Sequence, residues 1–204
     1  GALFYVWADE KYRPTRDLDF MFYGKFHADE LLEQITEICQ LTFPEDGISF
    51  DWQSFSYEEI KEQHEYDGLR LAFTAKIGNS KVKMKLDVCT GDLITPQPRE
   101  QLYPQLLLHH DAPYVKMYPK ETVIAEKVHA MIDLDLPNSR MKDYFDVFIL
   151  IDDFPDEIDH ALIGEAIQAT FGHRGMPIPA DDVRVWTPYF YEDETKITQW
   201  NAFL

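Results

Sequence analysis

The chain has 204 residues, 45% of them hydrophobic, and a formal net charge of -18. That is enough length and apolar content for one large domain or a compact pair. An acidic surface spread over both halves disfavours extended nucleic-acid binding by bulk charge, though not a nucleotide held locally. Cys39 and Cys89 have no framework or CxxC spacing and fit structural thiols in a reducing compartment. No run reaches the length of a membrane span and no charged-then-apolar leader is present, so a cytoplasmic protein with no membrane partner is expected. The sequence opens at Gly1 straight into the apolar run from Ala2 to Trp7, without an initiator Met, which predicts a fragment or a processed product.

Residues 2 to 9 read as the end of a helix, followed by a charged loop. Leu18, Phe20 and Phe22 then alternate with Asp17, Asp19 and Met21, which predicts a strand carrying two carboxylates on one face. From Ala28 to Leu41 apolar residues recur at helical spacing, and acids crowd the first turn as a helix N-terminus prefers. Residues 48 to 55 alternate as a strand. Leu69 to Ile77 and Val82 to Val88 flank Gly78-Asn79-Ser80 and predict a β-hairpin. On its second strand Val82, Met84, Leu86 and Val88 face one way, and Lys81, Lys83, Lys85 and Asp87 the other.

A segment bearing Pro96, Pro98, Pro104 and Pro113 is read as crossing the surface before a short strand near Tyr114 to Met117. Helical periodicity follows over 121–133, 140–151 and 158–171, and the last ten residues read as an amphipathic helix. Residues 172–193 show no clear period. Strands first and helices after predict an α+β fold. The expected organisation is a sheet core over 1–95, a connecting segment with a short strand over 96–118, and a helical C-terminal half over 119–204 that closes a cleft.

Two carboxylates side by side at Asp17 and Asp19 repel, and water, a cation or a bound metal must offset that repulsion. Hard oxygen ligands of this kind suit Mg²⁺. A strand with one solvated face accounts for the same pattern. Asp87 adds a third acid that a sheet can bring beside the pair, a set that could hold two metal ions against a nucleotide triphosphate, although Asp87 also reads as an ordinary outward residue. Lys127 sits at the margin of a buried helix face, its stem packed and its ammonium free to face a cleft. Lys142 opens the next helix, where the dipole adds positive potential for phosphate, and Asp143 and Asp146 suit the same helix start. No HExxH, Cys/His metal spacing, G-x-S-x-G or Walker loop is present.

The segments YRPTRDLDF at 12–20, KMKLDVCTGD at 83–92, YPKETVIAEKVHAM at 118–131 and SRMKDYFDVFIL at 139–150 together resemble the AbiEii/AbiGii toxin family of nucleotidyltransferases, in the polymerase-β-like superfamily. The resemblance implies a mixed sheet carrying the metal-binding acids and a helical half closing the cleft. It implies Asp17 and Asp19 as paired Mg²⁺ ligands, and Asp87 as the third acid and a candidate for activating the acceptor hydroxyl. Lys127 matches the family's phosphate-contacting lysine, and Asp143, beside Lys142, its acidic helix position. Members usually hold nucleotide phosphates on a Gly-Gly or Gly-Ser turn, of which Gly1 alone remains here. Gly1, Arg16, Lys127 and Lys142 are the expected nucleotide contacts.

The activity so implied is Mg²⁺-dependent transfer of an NMP from an NTP to an acceptor hydroxyl, with RNA, particularly a tRNA end, as one acceptor class. The protein would be the toxin of a bacterial toxin-antitoxin or phage-defence pair, with a cognate antitoxin as partner. Given the charge of -18, an RNA acceptor needs a local basic patch such as Lys81, Lys83, Lys85 and Arg13 or Arg16. Two other readings stay open: a non-catalytic interaction module, and a transferase for a small-molecule or protein hydroxyl.

Overall fold

The computed structural model describes residues 2–8, 13, 15, 18–24, 27–41, 43, 46–61, 67–106 and 110–204. Strands fill the N-terminal half and helices follow, giving an α+β fold. The chain divides into two compact units, one built on residues up to 92 with 103–110, the other on 93–102 with 111–204.

The first unit starts with the short helix α1 (Phe4–Trp7), whose Phe4 and Trp7 rings meet edge-on at 5.7 Å. Its mixed sheet has strands β1 (Leu18–Phe22), β2 (Ile48–Lys61), β3 (Asp67–Ile77) and β4 (Ser80–Thr90) in the order β1-β4-β3-β2. β3 and β4 form the predicted hairpin. Gly78 takes φ +57°, a conformation open to glycine without steric cost, and pairing runs from Ile77↔Ser80 to Gly68↔Cys89. β1 joins the far side of β4 in parallel, from Leu18↔Leu86 to Phe22↔Thr90.

β2 is longer than the alternation over 48–55 implies, because the register with β3 breaks between Asp51 and Ser56 and then resumes to Lys61. Such a break shifts side chains between faces and hides the strand's continuation from a period-2 reading. Ser54 occupies the gap: its hydroxyl donates to the Asp51 carbonyl at 2.6 Å and accepts from the Thr74 N–H at 2.9 Å.

Helix α2 (Ala28–Gln40) covers one sheet face. Ala28, Leu31, Leu32 and Ile35, spaced for one helical stripe, pack with Leu69, Leu71, Leu86, Val88 and Phe22. Full burial of a Leu or Val side chain, as at Leu31, Leu69, Leu71 and Val88, contributes about 1.5–3 kcal/mol. β1 is an edge strand, and of Leu18, Phe20 and Phe22, which share one of its faces, only Phe22 joins this core; Leu18 and Phe20 stay exposed. The opposite face of the sheet carries the acids and lysines.

In the second unit β5 (Arg99–Leu102) pairs antiparallel with β6 (Tyr114–Met117). β6 lies where the sequence predicts it, whereas β5 falls inside the stretch read as a surface crossing. Three of the four residues of β5 are polar, so no apolar alternation marks it. Then come α3 (Lys120–Leu134), α4 (Met141–Asp153), α5 (His160–His173), a 3-10 turn over Arg184–Trp186, α6 (Pro188–Tyr191) and α7 (Glu194–Phe203). Asp159 caps α5, its carboxylate accepting from the Ala161 N–H at 2.8 Å and the Leu162 N–H at 3.3 Å. Val185 and Phe190, from the stretch without clear period, are buried with Met131 and Met141 and packed against Tyr144, Trp200 and Phe203. Among the described residues no helix is long and apolar enough to cross a membrane.

Candidate functional site

The sheet aligns charged side chains in one row across all four strands. Parallel pairing makes Asp19 the partner of Asp87, hairpin pairing makes Asp87 the partner of Arg70, and β2 places Glu58 opposite Arg70. Paired residues on neighbouring strands project from the same face about 4.8 Å apart. The row Asp19, Asp87, Arg70, Glu58 therefore stands on the face opposite α2.

Arg70 holds Asp87 with its planar fork: Nε donates to Oδ1 at 2.8 Å and Nη2 to Oδ2 at 2.7 Å, while Nη1 reaches Glu58 Oε1 at 3.3 Å. Those hydrogen bonds to Asp87 push the guanidinium still further above its ordinary range, so it stays charged. Asp87 is half-buried and Asp19 exposed. Along β4, Lys85, Lys83 and Lys81 continue on the same face toward the hairpin tip, all exposed, at steps of about 6.8 Å.

Two carboxylates at paired register on the face opposite α2 form a donor set that suits a hard divalent cation. Among the described residues no group of three His, Cys, Asp or Glu side chains is gathered closely enough to hold a metal ion. Asp17, predicted to pair with Asp19 as a ligand, lies outside the described residues, as do Gly1 and Arg16.

The second unit contains its own charged cluster. Lys127 on α3 sends its Nζ to Asp143 Oδ1 at 2.8 Å and to Asp146 Oδ2 at 2.9 Å, and both carboxylates are fully buried at the start of α4. Arg140, immediately before α4, places Nε 2.7 Å from the other oxygen of Asp143. Two cations thus face two buried anions, which removes the cost of leaving either acid unpaired. The Asp143 and Asp146 side chains are consequently tied to α3, beyond the helix-start role their position suggests. Lys142, the residue between the two partners Arg140 and Asp143, is exposed.

Beneath this cluster Tyr144 stacks on Phe190 at a ring separation of 5.3 Å. Burial pushes its hydroxyl up to about 12, and the neighbouring Asp143 and Asp135 charges act in the same direction. Buried Asn138 accepts from the Arg140 N–H at 2.8 Å through Oδ1, and its backbone carbonyl accepts from Lys196 Nζ at 2.6 Å.

Sequence reasoning named Asp19, Asp87, Lys127 and Asp143 but missed Arg70, Glu58 and Arg140, and gave Asp146 only a local role. Arg70 was within reach. A two-residue turn at Gly78-Asn79 pairs Ile77 with Ser80, and counting back along both strands brings Arg70 opposite Asp87. Glu58 was not, because the bulge in β2 intervenes.

The family model described as "Nucleotidyl transferase AbiEii toxin, Type IV TA system" matches residues 1–204. No curated protein matches the chain. Among solved structures, JHP933 from Helicobacter pylori is similar over 98% of this chain and 78% of its own, with 15% identity and a TM-score of 0.49. A second H. pylori structure, provisionally described as a nucleotidyltransferase, is similar over 98% of this chain and 80% of its own, with 14% identity and a TM-score of 0.46. On the family match over its whole length, the chain belongs to the nucleotidyl transferase AbiEii toxin family of type IV toxin-antitoxin systems.

Proposed function

We propose that this nucleotidyltransferase moves an NMP from an NTP to an acceptor hydroxyl in a Mg²⁺-dependent reaction that releases pyrophosphate, and that it acts in the cytoplasm as the toxin of a toxin-antitoxin or phage-defence pair. The observation that carries the reading is the parallel register Asp19↔Asp87, which puts two carboxylates side by side on the sheet face opposite α2. Asp17 joins them as the third ligand. A divalent cation bound there would supply charge stabilisation at the reacting phosphate and align the attacking oxygen. Asp87 would receive the acceptor hydroxyl, and Gly1, Arg16 and Lys142 would contact the nucleotide.

Lys127 is assigned to the phosphates. An ammonium has three N–H donors, and the contacts to Asp143 and Asp146 engage two of them, leaving one for a phosphate oxygen. For the acceptor, the exposed row Lys81, Lys83 and Lys85 supports RNA despite the acidic whole, because it concentrates positive charge on the face that bears Asp87.

The test offers radiolabelled NTPs and Mg²⁺ to the protein with total RNA or with lysate proteins. Label entering RNA is expected, and Asp19→Asn and Asp87→Asn should each abolish it. Transfer that survives both substitutions in folded protein would reject the active-site assignment. Label entering protein instead would reject the RNA acceptor while leaving the chemistry in place.

A further inference from the structure

We infer that Arg70 is a positioning residue for Asp87 and the resident counter-cation of the carboxylate row, so that a divalent metal ion binds at Asp19 and Asp87 in opposition to it. The inference rests on the nucleotidyltransferase reading and adds to it a residue outside every segment that carries the family resemblance.

The geometry supplies the positioning. Arg70 contacts both oxygens of Asp87, at 2.8 and 2.7 Å, and a planar fork of this kind fixes the carboxylate's plane as well as its place. Because β4 lies between β1 and β3, the guanidinium approaches Asp87 from the β3 side. Each Asp87 oxygen keeps acceptor capacity beyond the fork, and the carboxylate in register beside it on β1 is Asp19. Glu58 holds the guanidinium from the opposite flank, so Arg70 is braced across three strands.

The charge pattern supplies the opposition. Asp19 and Asp87 adjoin with no intervening strand, and Arg70 contacts Asp87 directly. A metal ion at these carboxylates is attracted by them and repelled by a fixed positive charge one strand away. Arg70 therefore weakens metal binding while it holds Asp87 in the orientation that makes a bound ion productive. Removing it should move metal affinity and turnover in opposite directions, which loss of structural support alone would not do.

Mn²⁺ binding by electron paramagnetic resonance, measured without NTP on the full chain, reads the first effect, and NMP transfer at saturating metal reads the second. Arg70→Gln should bind Mn²⁺ about fivefold more tightly, the size expected for removing one partly exposed charge interaction, while transfer falls at least about tenfold. Arg70→Lys keeps the charge without the fork: its Mn²⁺ affinity should match the wild type and its transfer should still fall. Equal or weaker Mn²⁺ binding by Arg70→Gln, or full transfer by Arg70→Lys, overturns the inference. Should Arg70→Gln fail to fold, Arg70→Lys decides it. A wild-type chain that binds no Mn²⁺ would overturn the metal site itself, whereas binding lost in Asp87→Asn but unchanged in Arg70→Gln would overturn only the role given to Arg70.

Discussion

Replacing Lys127 by Met tests whether the helical unit depends on its buried charge cluster. Met preserves most of the lysine stem while removing the ammonium that now lies 2.8 Å from Asp143 and 2.9 Å from Asp146. Both carboxylates are 0% exposed, so neither can recover the lost interaction from water. Removing one partner of a buried pair costs about 3–5 kcal/mol. Arg140, at 2.7 Å from Asp143 and itself half-exposed, still offsets part of that, which puts the expectation near the lower end, about 3 kcal/mol. For a chain of this size that corresponds to a melting temperature lower by about 6–12 °C. Urea unfolding followed by circular dichroism and by tryptophan fluorescence would measure it, since Trp186 and Trp200 lie in the same unit. The triple variant Lys127→Met, Asp143→Asn, Asp146→Asn removes the uncompensated charges and should recover much of the loss. A single-variant loss below about 1 kcal/mol, the size of a surface ion pair, with no recovery in the triple, would refute the reasoning. The result also governs how activity is interpreted, because a destabilised Lys127 variant loses turnover whether or not the ammonium touches phosphate.

Three further outcomes follow from the same contacts. Gly68→Ala would put a Cβ 3.1 Å from Ile60 Cβ and 3.3 Å from Cys89 Sγ in the middle of the sheet, and a thermal melt should show a loss of about 1–3 kcal/mol. Asp159→Ala removes the carboxylate that caps α5 and should cost about 1 kcal/mol, while Asp159→Asn should keep most of it. Tyr144 titrates at about 12 in the folded chain against about 10 when unfolded. Its contribution is thus complete below pH about 10 and lost as pH rises through about 12, because the unfolded state releases its proton first. Tyr144→Phe should flatten that alkaline decline in a pH series of urea melts, and an unchanged slope would show that another group causes it.

Local patterns made much of this protein legible. The period-2 alternation around Asp19 and Asp87, the Gly78-Asn79 turn and the stripe of Leu31, Leu32 and Ile35 all arise from neighbours along the chain, and each produced the element that the residues imply. The hairpin register, and with it the pairing of Arg70 with Asp87, follows from counting outward from the turn. Other features depended on contacts between residues far apart in sequence. No local signal says that β1 lies parallel to β4 with Asp19 beside Asp87, that a bulge in β2 brings Glu58 to Arg70, or that Lys127 meets both Asp143 and Asp146. In each case a polar residue looks solvent-facing until another element's backbone fixes what stands opposite. Sequence by itself determined the long periodic elements and the kinds of charge they carry; tertiary structure decided the short ones and which charges meet, because sheet register and helix packing are selected by the burial of the apolar faces behind them.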